Sequence, residues 1–176
     1  MRAPAMPVVV LLAFVAFAWP VLAGQPAARN LVAHLSGDEE VPARDTLAQG
    51  QAIFHLSKDG ARLAYMLIVA NIENVVQAHI HVGELGENGP VVAFLFGLVD
   101  PGGGRVDGVL AQGAITANDL IGPLAGQPLS ALIDAMRSGN TYVNVHTNDG
   151  VDPTNTGPGD FPGGEVRGQT APAGPR

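Results

Sequence analysis

Apolar and polar residues alternate along much of the chain, and this alternation predicts a succession of short β-strands. Eight segments show either the alternation or a short apolar run typical of a strand: residues 31–35, 51–56, 62–70, 76–82, 91–96, 109–115, 141–147 and 165–169. The turn residues Lys58, Asp59 and Gly60 lie between the second and third segments and predict a hairpin there.

One segment, residues 128–138, has a helical period instead. Its apolar residues recur at the spacing of one helix face: Leu129, Leu132, Ile133 and Met136. Pro128 suits the first turn of a helix and Gly139 suits its end. We therefore expect an all-β fold, a single antiparallel β-sandwich or barrel of the Greek-key type, with about eight strands and one short crossover helix.

Composition supports a single domain of this kind. The chain has 176 residues, of which 47% are hydrophobic, and this is enough for one core. Its 23 glycines and 14 prolines favour short strands joined by tight turns. We expect a lead-in at residues 24–30, a domain at residues 31–170 and a flexible tail at residues 171–176.

The first 23 residues have the pattern of a signal peptide. Arg2 supplies a positive start, residues 8–18 are continuously apolar, and Val21-Leu22-Ala23 places small residues before Gly24. Cleavage before Gly24 would release a secreted or periplasmic protein. The alternative is an uncleaved anchor, although the apolar run is shorter than the ~20 residues needed to span a bilayer.

Charge and cysteine content restrict the function classes. The formal net charge is −7 and there is no basic cluster, which argues against binding to nucleic acid and to anionic membranes. The absence of cysteine excludes thiol catalysis and thiolate metal sites. No serine lies in a Gly-x-Ser-x-Gly elbow. Without a metal the sequence therefore offers no credible catalyst, and an enzyme is the less favoured reading.

Three histidines form the best candidate for chemistry. His79 and His81 alternate with Ala78 and Ile80 in a strand, so both imidazoles are predicted to face away from the core. His146 occupies the same kind of outward position in the strand at 141–147. Three neutral imidazoles from two strands suit copper or zinc and leave a coordination position open. The sequence predicts a surface metal site with these three residues as ligands.

Acidic segments have weaker interpretations. Asp149 and Asp152 are candidates to orient the histidine rings, while the loop at 148–164 is interpreted as mobile, with calcium binding or shielding of His146 as alternatives. The run at 38–40 is interpreted as a solvated turn rather than a calcium site. His34 and His55 lie on separate early strands, and His55, opposite the apolar face of its strand, is expected to be solvated rather than a ligand.

Several ordered motifs resemble the CHRD domain, a module of chordin that also occurs alone in exported bacterial proteins. They are LSGDEEVP (35–42), AHIHVGELGENGPVV (78–92), ITANDLIGPLAGQPLSALIDAMRSGNTYVNVHT (115–147) and GGEVRGQ (163–169). The resemblance covers nearly all of residues 31–169. It implies the fold and family membership rather than an activity.

A second pattern is similar to the Cu/Zn superoxide dismutase sandwich. A His-x-His strand, a late Val-x-Val-His strand and a closing Gly-Gly segment occur in the same order. The resemblance implies that His79, His81 and His146 match copper ligands of that family. Because no histidine lies between His81 and His146, it implies neither the bridging imidazole nor the separate zinc subsite.

Three functions from different classes follow. The favoured one is an exported, non-catalytic protein that binds a copper or zinc ion. The alternatives are a secreted module without metal that contacts an extracellular protein or matrix, and a copper-dependent redox enzyme similar to superoxide dismutase.

Overall fold

The computed structural model describes residues 28–174. The predicted signal peptide, residues 1–23, lies outside the described residues. No helix in the described part is long and apolar enough to cross a membrane.

Strands make up most of the regular structure in residues 28–174. They are β1 (Asn30–Ser36), β2 (Gln49–Leu56), β3 (Leu63–Glu73), β4 (Val75–Val82), β5 (Val91–Gly97), β6 (Arg105–Ile115), β7 (Thr141–Thr147), β8 (Val166–Gln169) and β9 (Ala171–Pro172). One α-helix, α1 (Leu129–Arg137), separates β6 from β7, and three-residue 3-10 turns begin at Gly37, Ala117 and Gly122. The all-β prediction with one crossover helix is confirmed.

The strands form one antiparallel sheet that nearly closes on itself. Its order is β5-β4-β7-β8-β1-β2-β3-β6, and β9 pairs with β1. The end strands β5 and β6 come close to each other, and the Tyr65 hydroxyl of β3 donates to the Leu95 carbonyl of β5 at 2.8 Å. With the gap between β5 and β6 counted as a contact, strands β3 to β6 follow the Greek-key order. This connectivity makes β4 and β7 neighbours although about 60 residues separate them in sequence.

The inward side chains of the strands and the apolar face of α1 share one core. Its fully buried members include Phe54, Leu67, Ile80 and Val143. The four apolar helix residues predicted from the sequence are all buried in this core: Leu129, Leu132, Ile133 and Met136. The helix follows Pro128 and ends before Gly139, which has a φ of 73°. Glycine adopts this left-handed backbone conformation more easily than other residues, which explains why the helix ends here.

The predicted strands are confirmed, with differences at some ends. β6 begins four residues before the predicted start at 109, because Arg105 and Val106 pair with β3 beyond a bulge that the alternation does not reveal. A register shift between β4 and β7 after Val75 places Val75 rather than Val76 in the core cluster. Ala171 and Pro172 pair with β1, so the chain stays on the sheet beyond the predicted domain end at residue 170.

Candidate metal centre

The pairing of β4 with β7 brings the three predicted ligands onto one face of the sheet. Gln77 pairs with His146, His79 with Asn144, and His81 with Tyr142. Directly paired residues project to the same face, and Ile80 on the opposite face is in the core. His79, His81 and His146 therefore lie together on the outer face, as the alternation predicts.

The ring nitrogens of this three-histidine group are close enough to share one ion. Each ring offers a nitrogen within 4.8 Å of those of the other two. Nδ1 of His79 and Nε2 of His146 are 3.2 Å apart and share a hydrogen bond. Ligand nitrogens on one zinc or copper ion lie about 3.3 Å apart, as bond lengths of about 2.0 Å require. Small side-chain movements would therefore complete a three-nitrogen site.

Main-chain carbonyls orient two of the rings. Nδ1 of His81 donates to the Gly89 carbonyl at 2.9 Å, and Nδ1 of His146 donates to the Pro162 carbonyl at 2.9 Å. A carbonyl can only accept, so each neutral ring carries its proton on Nδ1 and a lone pair on Nε2. Nε2 of His81 is buried and has no hydrogen-bond partner. The predicted orienting residues Asp149 and Asp152 do not fill this role.

The prediction of a surface site is wrong in one respect, because the rings are buried. The exposed fractions of His79, His81 and His146 are 4%, 8% and 7%. Residues 83–90 place the Gly89 carbonyl beside one ring, and the loop at 148–164 places Pro162 beside another. Phe94 also lies edge-on to His79, with ring centroids 4.6 Å apart. The outward face is therefore covered by loops and an aromatic ring that alternation alone does not locate.

Burial keeps all three imidazoles neutral. It is the main cause that lowers the pKa of His79 to about 3, with smaller contributions from His146 and His81. Burial also lowers the pKa of His146 to about 4, against the raising effect of the Pro162 carbonyl. The pKa of His81 is lowered by burial and by Arg167, although its bond to Gly89 raises it. A neutral ring has the free lone pair that a metal ligand needs.

Residues 83–90, which we call the glycine loop, lie over His81 and are held there by Tyr142 and Arg167. The Arg167 guanidinium donates to the carbonyls of Glu84 at 3.1 Å and Glu87 at 2.8 Å. The Tyr142 hydroxyl accepts from the Gly89 N–H at 3.0 Å. The Tyr142 ring stacks on His81 at 4.7 Å between centroids, and the guanidinium lies 3.5 Å from the centroid of the same ring.

Two buried carboxylates bond to the later part of the loop at 148–164, which we call the long loop. Asp160 accepts from the N–H and the hydroxyl of Thr156, both at 2.9 Å. Glu165 accepts from the Thr147 hydroxyl at 2.7 Å and from the Gly159 N–H at 2.9 Å. These hydrogen bonds hold the loop where the Pro162 carbonyl contacts His146. The geometry therefore supports the alternative in which the loop shields His146.

Glu40 belongs to the same face although the sequence indicates a solvated turn there. Its exposed fraction is 6%, whereas Asp38 and Glu39 are exposed. Burial raises the pKa of Glu40 to about 7, while Arg167 and Arg44 act in the opposite direction. Gly164 leaves space here, since an added Cβ would lie 2.6 Å from both the Glu40 Oε1 and the Asn144 Oδ1.

The two remaining histidines lie elsewhere. His34 on β1 and His55 on β2 are both exposed, as predicted for His55, and Nδ1 of His55 is 2.6 Å from the Asn30 side-chain oxygen. Alternation of β7 places Tyr142 and Asn144 beside His146. It gives no signal for Glu40, whose burial depends on residues far away in sequence.

Comparison with known families identifies this architecture. The CHRD domain matches residues 31–170, which is most of the chain. No curated protein matches the sequence. The match covers every strand from β2 to β8 together with α1, and both loops over the three-histidine group. The chain therefore belongs to the CHRD domain family.

Proposed function

We propose that this chain is an exported, non-catalytic protein that binds one copper or zinc ion through His79, His81 and His146. The observation that carries the proposal is the convergence of three buried ring nitrogens within 4.8 Å of one another. Two of the rings are held in one tautomer by main-chain carbonyls, with the lone pair on Nε2. Nε2 of His81 has no partner, whereas Nε2 of His146 accepts from Nδ1 of His79, a bond that an arriving ion would replace.

The donor set favours copper or zinc among common biological metals. Imidazole nitrogens suit these ions, whereas calcium and magnesium prefer oxygen ligands. Low pKa values keep protons from competing for the nitrogens in mildly acidic surroundings. Three protein ligands also leave a coordination position for a small exogenous ligand.

Two further parts of the proposal have separate support. The pattern of residues 1–23 supports export to the periplasm or the cell exterior. The three-histidine group includes no carboxylate that could serve as a general base beside the ion. This composition favours metal binding without turnover.

Metal analysis of tag-free protein tests the proposal. Purified protein incubated with excess copper or zinc and then desalted should retain one equivalent, measured by plasma emission spectroscopy. His81→Ala and His146→Ala should each reduce retention at least about tenfold, because each removes one of three ligands.

Matched controls are provided by the exposed histidines. His34→Ala and His55→Ala remove an imidazole from neighbouring strands without touching the three-histidine group, so both should retain the full equivalent. Absence of bound metal in loaded wild-type protein would reject the proposal and leave the interaction module without metal. Equal loss in the control variants would show that binding is not at this site.

A further inference from the structure

The charges around the three-histidine group distinguish between ions of different charge. All three candidate ligands are neutral imidazoles, and within the described residues no acidic side chain joins the group. The groups that orient His81 and His146 are main-chain carbonyls, which carry no net charge. An ion bound here would keep its full charge unless an anion accompanied it.

A buried arginine adds to this effect. Arg167 is 1% exposed, and its positive charge acts on His81 in the same direction as the burial that lowers the pKa of that ring. Its guanidinium is separated from the His81 ring by the Tyr142 ring, which both groups contact. A positive charge that disfavours a proton on His81 also disfavours a metal cation beside it.

Buried acids near this face do not compensate for the charge of a bound ion. Glu165 accepts hydrogen bonds from Thr46, Thr147 and Gly159, and Asp160 accepts from Thr156, so neither carboxylate bonds to the group. Glu40 lies beside two arginines, and its pKa of about 7 reduces its negative charge at neutral pH. The field at the site is therefore neutral to positive.

Ion charge then decides the balance between desolvation and coordination. The cost of moving an ion from water into a low-dielectric site grows with the square of its charge, so a divalent ion is penalised about four times as heavily as a monovalent one. Repulsion by Arg167 also doubles with the charge of the ion. Cu(I) is stable with three nitrogen ligands, whereas Zn(II) takes four ligands and Cu(II) a tetragonal set, so either divalent ion would have to recruit an exogenous ligand into this buried site.

From these charges and this ligand number we infer that the three-histidine group binds Cu(I) in preference to Zn(II) and Cu(II). The inference rests on the proposed function, because it names the ion and oxidation state that the proposed metal site selects.

Competition titrations measure this preference directly. Tag-free protein would be titrated without oxygen into the coloured Cu(I) complex of bicinchoninate, with ascorbate as reductant. Zn(II) would be competed against a chromophoric zinc chelator, and Cu(II) against glycine without reductant. The Kd for Cu(I) should be at least about tenfold lower than the Kd for either divalent ion.

Asn144→Asp tests the electrostatic argument within the same site. Asn144 is 3% exposed, pairs with His79 across the strands and has the shape of aspartate. A carboxylate at this position attracts a divalent ion more strongly than a monovalent one. The preference for Cu(I) over Zn(II) should fall about tenfold or more. Asn30→Asp, at an exposed position on β1, adds the same charge far from the group and should leave the preference unchanged.

The outcomes separate the inference from the proposed function. Divalent ions bound as tightly as Cu(I), or more tightly, would overturn the inference and leave a metal-binding protein. No binding of any of the three ions would overturn both. An unchanged preference in folded Asn144→Asp would contradict the charge argument, and the wild-type titrations decide the matter if that variant does not fold.

Discussion

His79 and His146 illustrate how burial changes a residue's acid–base behaviour. In water both imidazoles would titrate near pH 6.5, but burial lowers their pKa values to about 3 and about 4. At pH values between these folded pKa values and 6.5, the unfolded chain binds protons at these rings and the folded chain does not. Folding is therefore linked to pH even without a metal.

This linkage predicts acid destabilisation of metal-free protein. The stability that the two rings contribute is complete above about pH 6.5 and is lost as pH falls towards their folded pKa values. Each ring can contribute a slope of about 1.4 kcal/mol per pH unit. Glu40 acts in the opposite sense, because its folded pKa of about 7 exceeds its usual value of 4.5 and so favours folding on acidification. Two rings outweigh one carboxyl, and the net free energy of unfolding should decrease.

Urea denaturation with a chelator, at about pH 7 and about pH 4.5, checks this prediction. His79→Gln removes the ring with the lower of the two pKa values and should reduce the acid loss by about 2 kcal/mol. His55→Gln, at an exposed position, should reproduce the wild-type dependence. A His79→Gln variant that loses as much stability as wild type would show that this ring is not the source.

At the scale of elements, the glycine loop depends on the backbone of Gly89. A Cβ at this position would overlap the carbonyl oxygen of Val82. The main chain of Gly89 also accepts from His81 and donates to the Tyr142 hydroxyl, so the close approach and the ring orientation depend on the same residue.

Gly89→Ala should therefore weaken both the fold and the metal site. We expect a loss of about 1–3 kcal/mol in the free energy of unfolding, because the backbone must shift to admit the methyl group. Metal affinity should fall about tenfold or more, since His81 loses its orienting acceptor. Thermal denaturation and chelator competition measure the two effects. In Gly103→Ala the Cβ would meet nothing within 4 Å, so both quantities should stay near wild type.

The elements also show what the sequence could predict. Alternation in β4 and β7 was sufficient to place His79, His81 and His146 on one face, because side-chain direction in a strand is a local property. Their burial was not predictable in this way, because it depends on where residues 83–90 and 148–164 return to the sheet. Arg167 and Glu40 lie about 85 and 40 residues from His81 in sequence, and only the tertiary structure brings them to this face.

At the scale of the whole molecule, the core and the candidate site occupy opposite faces of the same strands. α1 contributes Leu132, which is 0% exposed, to the core, whereas the three-histidine group lies on the outer face of β4 and β7. Core stability and metal binding should therefore respond separately to substitution.

Leu132→Ala tests this separation. Removal of a fully buried leucine side chain should cost about 2–5 kcal/mol of unfolding free energy. Protein that remains folded should still bind one equivalent of metal. Leu98→Ala, where the leucine is 77% exposed, should change stability by less than about 0.5 kcal/mol. Calorimetry and metal analysis on the same samples would reveal any coupling, and loss of metal from folded Leu132→Ala protein would contradict the separation.

The use of peptide carbonyls to align His81 and His146 affects how comparable centres can be recognised in other sequences. No particular side chain at residue 162 is needed to supply the acceptor, so a motif search that pairs each ligand with an aspartate or glutamate would pass over this arrangement. Such a search should instead score the spacing between the histidine segments and the loops that supply the carbonyls, together with a glycine at the position of residue 89.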